Sequence, residues 1–479
     1  MYLGIDLGTS GVKLLLIDGD QRVVAEASSP LTVQRPQAGW SEQDPASWIS
    51  ATEAGLAELG GQTDLGALRG IGLSGQMHGA TVLDGSDKPL RPCILWNDTR
   101  AHAEAASLDA DPRFRSITGN IVFPGFTAPK LVWLQRHEPE AFDRAAKVLL
   151  PKDFLRLWLT GEHVAEMSDA AGTSWLDTGR RRWNAELLAA TGLGPEHMPR
   201  LVEGSAVSGR VRDALADRFG LPRGVPVAGG GGDNAATGVG MGAVAAGRAF
   251  VSLGTSGVLF AANDGYRPAA ETAVHTFCHA LPETWHQMGV ILAATDALNW
   301  FAGLVGAAPA DLTSGLGALA PPGKTLFLPY LGGERTPLND ASIRGAFVGL
   351  EHATDRAAAT RAVLEGVVFA LRDCRDALAA TGTEITDLTA TGGGARSHYW
   401  LKAIATALEC PVFLPEAGDY GAAFGAARLG MMAAEGHGPE IATPPPTDRL
   451  IEPDMGLAES FTEAHDRYHA AQSAIQDLT

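Results

Sequence analysis

Leu7-Gly8-Thr9-Ser10-Gly11 recurs 246 positions later as Leu253-Gly254-Thr255-Ser256-Gly257. The likeness runs further: between residues 7–19 and 253–265 eight of thirteen positions are identical, including Val12 with Val258 and the pairs Asp18-Gly19 and Asp264-Gly265. In each copy an apolar run enters the turn (Tyr2 to Ile5; Ala249 to Val251) and another leaves it (Val12 to Ile17; Val258 to Ala262). Apolar runs bounded by turn residues predict β-hairpins. Two hairpins in matching contexts predict duplicated α/β domains, each contributing one loop to a shared central cleft. Glycine lets backbone N–H groups approach a ligand closely and the hydroxyls add donors, so each loop suits phosphate oxygens. For either copy alone, a plain tight turn is the alternative.

The copies differ at one telling place. Asp6 precedes the first turn, where the second has Ser252. A carboxylate beside a polyphosphate repels it unless a cation intervenes, so Asp6 is the expected ligand of Mg²⁺ carried on ATP. The first loop offers Gly8, Thr9 and Ser10 to phosphate, the second Gly254 and Thr255. Lys13 either reaches a terminal phosphate or is a surface lysine on a strand.

The rest of the N-terminal half alternates strand-like runs (68–73, 80–83, 147–150, 225–227) with helical stretches (45–59, 129–136), which is α/β patterning. Four glycines at 229–232 lead into Asp233-Asn234 and a small-residue helix expected to reach about Val244. The domain boundary is expected near residue 245, giving domains 1–245 and 246–479. The second half repeats the scheme with strands at 325–328, 388–391 and 412–414, helices at 355–379, 400–408 and 422–434, and a terminal helix after Met455.

Asp233 sits where a glycine turn meets a helix N-terminus, which favours its charged form. It is the candidate general base for a substrate hydroxyl attacking a γ-phosphate; a simple helix cap is the alternative. Two strand ends read as a polar small-molecule pocket: Gln76, Met77 and His78 in Ser74-Gly75-Gln76-Met77-His78-Gly79, and Trp96, Asn97 and Asp98 in Leu95-Trp96-Asn97-Asp98. Asn234 joins them as a substrate candidate. Thr391-Gly392-Gly393-Gly394-Ala395-Arg396-Ser397 is again strand, glycines, helix, and offers Gly393, Gly394 and Ser397 to an adenine or α-phosphate. His275, Cys278, His279 and His286 form a loose cluster whose spacing matches no standard zinc site.

Composition narrows the class. A formal charge of −18 without clustered Lys and Arg argues against nucleic-acid or anionic-membrane surfaces. The four cysteines are widely spaced, which suits a reducing compartment, and no apolar run of spanning length occurs, so a cytoplasmic protein is expected.

The Asp-x-Gly-Thr loop at Asp6, the Gly254-Thr255 loop and Gly-Gly-Gly-Asp-Asn at Asp233 resemble the FGGY carbohydrate kinases of the actin/hexokinase/Hsp70-like (ribonuclease H-like) superfamily. The stretch from Gly125 through Lys130 and Trp133 to His137 is similar to that family's first signature. Gly345 to Leu350 with Ala362 to Glu365 approximates its second, with Ala358 and Ala359 departing from the usual residues. The resemblance implies ATP and Mg²⁺, with Asp6 and Asp233 around the metal and Asp233 as base. The 75–79, 95–98 and 277–280 stretches look like the branch acting on D-xylulose, with Met77 and His78 on the substrate; ribulose or glycerol are the alternatives. It also implies a structural role for the His/Cys cluster and suggests a homodimer. A non-kinase, ATP-switched protein of the same fold needs neither the base nor the polar pocket.

Overall fold

The computed structural model describes every residue except Ala417, Asp419, Asp477 and Thr479. Both LGTSG copies are hairpin turns. Tyr2–Leu7 pairs antiparallel with Gly11–Ile17, and Gly247–Leu253 with Gly257–Asn263.

Each hairpin nucleates a seven-stranded sheet, and the two sheets share one scheme. In the first, Val23–Pro30, Gly11–Ile17 and Tyr2–Leu7 form an antiparallel meander; Gly70–Gly75 and Pro226–Ala228 follow in parallel, and Val207–Arg210 closes the edge antiparallel. In the second, Trp285–Ile291, Gly257–Asn263 and Gly247–Leu253 form the meander, with Ile385–Thr391 and Val412–Pro415 parallel and Thr447–Ile451 antiparallel at the edge. The expected strands near 81–83 and 147–149 pair with each other outside the central sheet, as Leu326–Leu328 does with Ala346–Val348.

The central strands of each sheet are buried on both faces, so they read as continuous apolar runs (Leu3, Ile5, Leu7; Val251, Leu253) covered by helices. Pro45–Gln62 covers the first sheet and begins properly, its Asp44 side chain accepting from the Ala46 N–H. Arg356–Ala379 lies in the core of the second half, with Ala458–Gln476 packed beside it.

The two halves meet through Asp233–Met241 and Ala422–Glu435. A Cβ on Gly72 would lie 1.8 Å from the Ala426 carbonyl oxygen, and one on Gly4 equally close to that of Ala423. Backbone therefore touches backbone where this helix, from the C-terminal half, crosses the N-terminal sheet. The helix opened by Asp233 stops at Met241 rather than near Val244. Gly242 caps it in the left-handed conformation (φ 73°), against the backbone of Pro444.

Candidate active site

Strand register brings the acidic candidates together. Asp6 lies beside Ser74 in parallel register, and Gly231–Gly232 adds to the far side of the same strand, Gly231 opposite Ser74 and Gly232 opposite Gly75. Asp6, Gly75 and Asp233 thus sit at neighbouring strand ends, where α/β sheets bind ligands. The approach depends on Gly230 (φ 78°), where a Cβ would lie 2.0 Å from the Leu73 carbonyl oxygen.

Asp233 is the first residue of its helix; Gly232 holds the cap position and offers no side chain, so capping is not the role of this carboxylate. Its Oδ1 accepts from the Asn234 N–H (2.7 Å) and Nδ2 (3.0 Å), which orients the group. Among the described residues no cation is paired with it. Burial pushes its pKa up to about 6, against the downward pull of the two Asn234 bonds. A carboxylate poised there is ionised at neutral pH yet more basic than an exposed one.

A buried ionic cluster supports this strand end. The Gly232 N–H donates to Ser168 Oγ (3.0 Å), and that hydroxyl donates to Glu166. Lys152 Nζ lies 2.6 Å from Asp153 and 3.3 Å from Asp169, while Arg156 bonds Asp153 and the Gly229 carbonyl. Burial, with Asp153 and Glu166 nearby, raises the Asp169 carboxyl well above the usual range despite Lys152. None of these residues was singled out from the sequence. The signal was there in Lys152, Asp153 and Arg156, charges on a face of Pro151–Thr160 that is buried.

His78 and Met77 lie against the same wall. A Cβ on Gly232 would meet Met77 Cγ at 2.9 Å, and one on Gly172 would meet His78 Cε1 at 2.5 Å. His78 adopts φ 70°, stacks on Phe126 (centroids 4.4 Å) and bonds the Gly172 carbonyl through Nδ1 at 2.7 Å. Burial lowers its pKa to about 3, so the ring is neutral; with the proton on Nδ1, Nε2 is an acceptor suited to a hydroxyl. Lys130 Nζ and Thr127 Oγ1 donate to the His78 carbonyl (2.9 and 3.2 Å). Asn97 Oδ1 is buried with no hydrogen-bond partner among the described residues.

Several of the expected site residues have partners within the protein. Asp98, expected on the substrate, is fully buried: Oδ1 accepts from Arg100 Nε (2.9 Å) and Oδ2 from the Ser41 N–H (2.6 Å) and the Arg100 guanidinium (2.7 Å). The Thr9 hydroxyl and Gln76, expected on phosphate and sugar, bond each other: Thr9 Oγ1 donates to Gln76 Oε1 (3.0 Å) and accepts from Trp96 Nε1 (3.0 Å), and Gln76 Nε2 donates to Gln43 (3.1 Å). Trp96 itself is half exposed. Lys13, opposite Asp6 in the hairpin, pairs with Glu26 at 3.0 Å, which favours the strand-surface alternative. His275, Cys278, His279 and His286 are buried among Phe260 and Phe277, with His286 stacked on Phe260 (4.5 Å); burial lowers all three histidines, as in a core layer.

In the second loop the carbonyls are tied back. Gly254 O accepts from the Thr295 N–H (2.9 Å) and hydroxyl (2.8 Å), and Thr255 O from the Ala294 N–H (2.8 Å), at the start of Thr295–Val305. The Thr255 and Ser256 side chains are exposed. Gly392 (φ 89°) lies flat on Leu253, where a Cβ would be 2.7 Å from backbone. Beside this turn a cavity of about 660 Å³ is lined by Thr295, Asn299, Gly393, Gly394, Ser397 and His398, room for a nucleoside. Ser397 also caps His398–Leu408.

Comparison with known proteins follows the same division. Residues 1–240 match the N-terminal domain, and 249–434 the C-terminal domain, of the FGGY family of carbohydrate kinases. A xylulose kinase of Escherichia coli is 47% identical, covering 98% of this chain and 96% of its own. One from Klebsiella pneumoniae is 48% identical over 95% of both. The crystal structure of a "xyloylose kinase" from Brucella ovis superposes over all of both chains with a TM-score of 0.99 at 63% identity.

Proposed function

The chain belongs to the FGGY family of carbohydrate kinases, two actin/hexokinase-like domains around a cleft, and from that premise we propose ATP-dependent phosphorylation of D-xylulose at O5 with Asp233 as the base. The observation that carries the base assignment is the Asp233 carboxylate itself: it opens a helix directly after Gly231–Gly232, which pairs with the same strand, Gly70–Gly75, that Asp6's strand pairs on its other side; it is oriented by Asn234 and has its pKa raised to about 6. As O5 attacks the γ-phosphorus the new O–P bond forms, the bond to the β-phosphate oxygen breaks and ADP leaves; the O5 proton passes to Asp233. Neutral His78 accepts from a sugar hydroxyl through Nε2, Asn97 Oδ1 takes another, and Met77 supplies an apolar wall. The loops at Gly8 and Gly254 hold phosphate oxygens with backbone N–H groups, and the cavity at Gly393 and Gly394 takes the nucleoside.

Asp6 and Asp233 present the hard carboxylate oxygens that Mg²⁺ prefers, and these residues would hold it. When bound it neutralises charge on the transferring phosphoryl group. Because the donors come from both halves, closure about residues near 245 accompanies binding and keeps water from the γ-phosphate.

The test is ADP release with ATP, Mg²⁺ and D-xylulose, D-ribulose, L-ribulose or glycerol, for the wild type and Asp233→Ala. The proposal requires selective turnover with D-xylulose and a mutant that binds nucleotide but has lost sugar-dependent turnover. Sugar-dependent ADP release by the mutant would place the base elsewhere. Preference for another sugar would move the substrate and keep the mechanism.

A further inference from the structure

The terminal helix Ala458–Gln476 carries His465 and His469, one turn apart, and the long helix Arg356–Ala379 carries Asp373 opposite them. His465 Nε2 lies 2.7 Å and His469 Nε2 2.6 Å from the same oxygen, Asp373 Oδ1. Their ring centroids are 4.2 Å apart, and the three ligand-capable atoms all lie within 4.8 Å of one another. Among the described residues no other group of three His, Cys, Asp or Glu side chains converges in this way. His465 and Asp373 are buried, whereas the His469 side chain is about half exposed, so the cluster has a solid floor and an open door.

We propose that Asp373, His465 and His469 form a binding site for a borderline divalent cation of the Zn²⁺ type, joining the terminal helix to the body of the C-terminal half. Imidazoles four residues apart on a helix present their nitrogens to one side, the spacing by which helical zinc sites supply two ligands. A carboxylate from a second helix completes a three-ligand set, with water in the fourth, open position on the His469 side. The donor set discriminates between metals. Two imidazoles and one carboxylate suit Zn²⁺ or Co²⁺, whereas Mg²⁺ demands oxygen ligands of the kind found at Asp6 and Asp233.

As it stands the triad is hydrogen-bonded, both imidazoles at 2.6–2.7 Å from one carboxylate oxygen, and a cation would take the place of the two protons. Without metal, both imidazoles direct an N–H at one oxygen, with the two rings almost in contact. A metal replaces both protons and lets both nitrogens act as lone-pair donors. With bonds of about 2.0–2.1 Å a tetrahedral set needs donors about 3.3 Å apart, so small side-chain rotations open the present spacing to that size. Phe369 and Tyr468, the latter bonded to Tyr330 (2.7 Å), flank the site and hold His465 in place. The two histidines lie beyond the 249–434 span of the family match, whereas Asp373 lies within it, so the site would tie the terminal helix to the matched domain.

The experiment titrates untagged, chelator-treated, full-length protein with Co²⁺ and follows its visible d–d absorption. The proposal requires a saturable, intense band near one Co²⁺ per chain, displaced by Zn²⁺ and not by Mg²⁺, and a Zn²⁺-dependent rise in Tm. His469→Ala, at a half-exposed position, keeps the fold and ATP turnover, weakens Co²⁺ binding by at least about 100-fold and abolishes the Tm rise. A His465→Gln variant reports the buried ligand in the same assay. Absence of a saturable band in the wild type, or a band that survives both substitutions, overturns the proposal.

Discussion

The Lys130 ammonium lies 2.9 Å from the carbonyl oxygen of His78, a residue whose backbone occupies the left-handed region at φ 70°. Lys130 is fully buried, no carboxylate among the described residues is paired with it, and burial lowers its pKa to about 7. A buried cation and a strained backbone are both costly, and here each accounts for the other: the lysine holds the turn that aims His78.

Lys130→Met keeps the apolar stem and removes the bond. Loss of a charged hydrogen bond is worth about 1.5–3 kcal/mol, so kcat/KM for D-xylulose falls about 10- to 100-fold while the KM for ATP stays close to wild type. Stability supplies a second readout. With the folded pKa near 7 and the unfolded value near 10.4, the unfolded chain binds more protons between those limits, so this group makes the wild type more stable as pH rises through that window. Urea unfolding at pH 7 and pH 9 should show that increment in the wild type and not in the mutant.

The raised pKa of Asp233 sets the acid limb of the rate profile. A base must be ionised, so kcat/KM falls below an apparent pKa of about 6 rather than near 4. The same shift carries a stability cost: the folded state binds the extra proton between the unfolded value near 3.9 and about 6, so the contribution of this group is lost as pH rises through that range. Asp233→Asn is therefore inactive yet more resistant to urea than the wild type at pH 7. A mutant less stable at pH 7 and equally stable at pH 4 would contradict that sign.

Thr9 couples the first loop to the sugar side through the bonds from Trp96 and to Gln76. Thr9→Val removes the hydroxyl with little change of shape, and Trp96→Phe keeps the ring face and removes the N–H. Each should raise KM for both ATP and D-xylulose about 3- to 10-fold, the worth of one neutral hydrogen bond. A double-mutant cycle should then show coupling of about 1 kcal/mol; additive effects would mean that the two residues act separately.

Asp98 separates a structural role from a substrate role. Its carboxylate is consumed by Arg100 and the Ser41 N–H, and Arg100 in turn pairs with Glu42 and lies 3.6 Å over the Trp40 ring. Asp98→Asn leaves the buried guanidinium short of charge and should cost about 3 kcal/mol of stability with a modest change in sugar KM. A large rise in KM at unchanged stability would return Asp98 to the substrate.

Local pattern made the hairpins and the glycine turn into the helix that begins at Asp233 legible, because strand alternation and turn chemistry act over a few residues, and the repeat identified the doubled sheet. It failed where the deciding partner was distant in sequence. Lys152, Asp153, Arg156, Glu166 and Asp169 carry no local sign that they pair with one another under Gly232. Thr9 and Gln76 carry the right chemistry for ligands, and nothing local reveals that they face each other first. The sequence predicted a helix at 422–434, but not that it is buried from Ala423 to Met432 against the N-terminal sheet.

That covering helix makes the strongest stability prediction. A Cβ at position 72 would lie 1.8 Å from the Ala426 carbonyl oxygen and 2.9 Å from the Gly430 nitrogen, both backbone atoms that cannot rotate away. Gly72→Ala must therefore lift Ala422–Glu435 off the strand that ends at Gly75, costing about 3 kcal/mol or more, at the upper end of overpacking effects. The strand also positions Gly231–Gly232, so the displacement reaches Asp233 and activity falls with stability. Gly61→Ala, near the end of Pro45–Gln62 with open space around it, is the control: a Cβ there meets nothing within 4 Å, and helix propensity makes the change neutral or favourable by up to about 1 kcal/mol. Equal Tm values for the two variants would mean that the inter-half contact yields where the backbone geometry says it cannot.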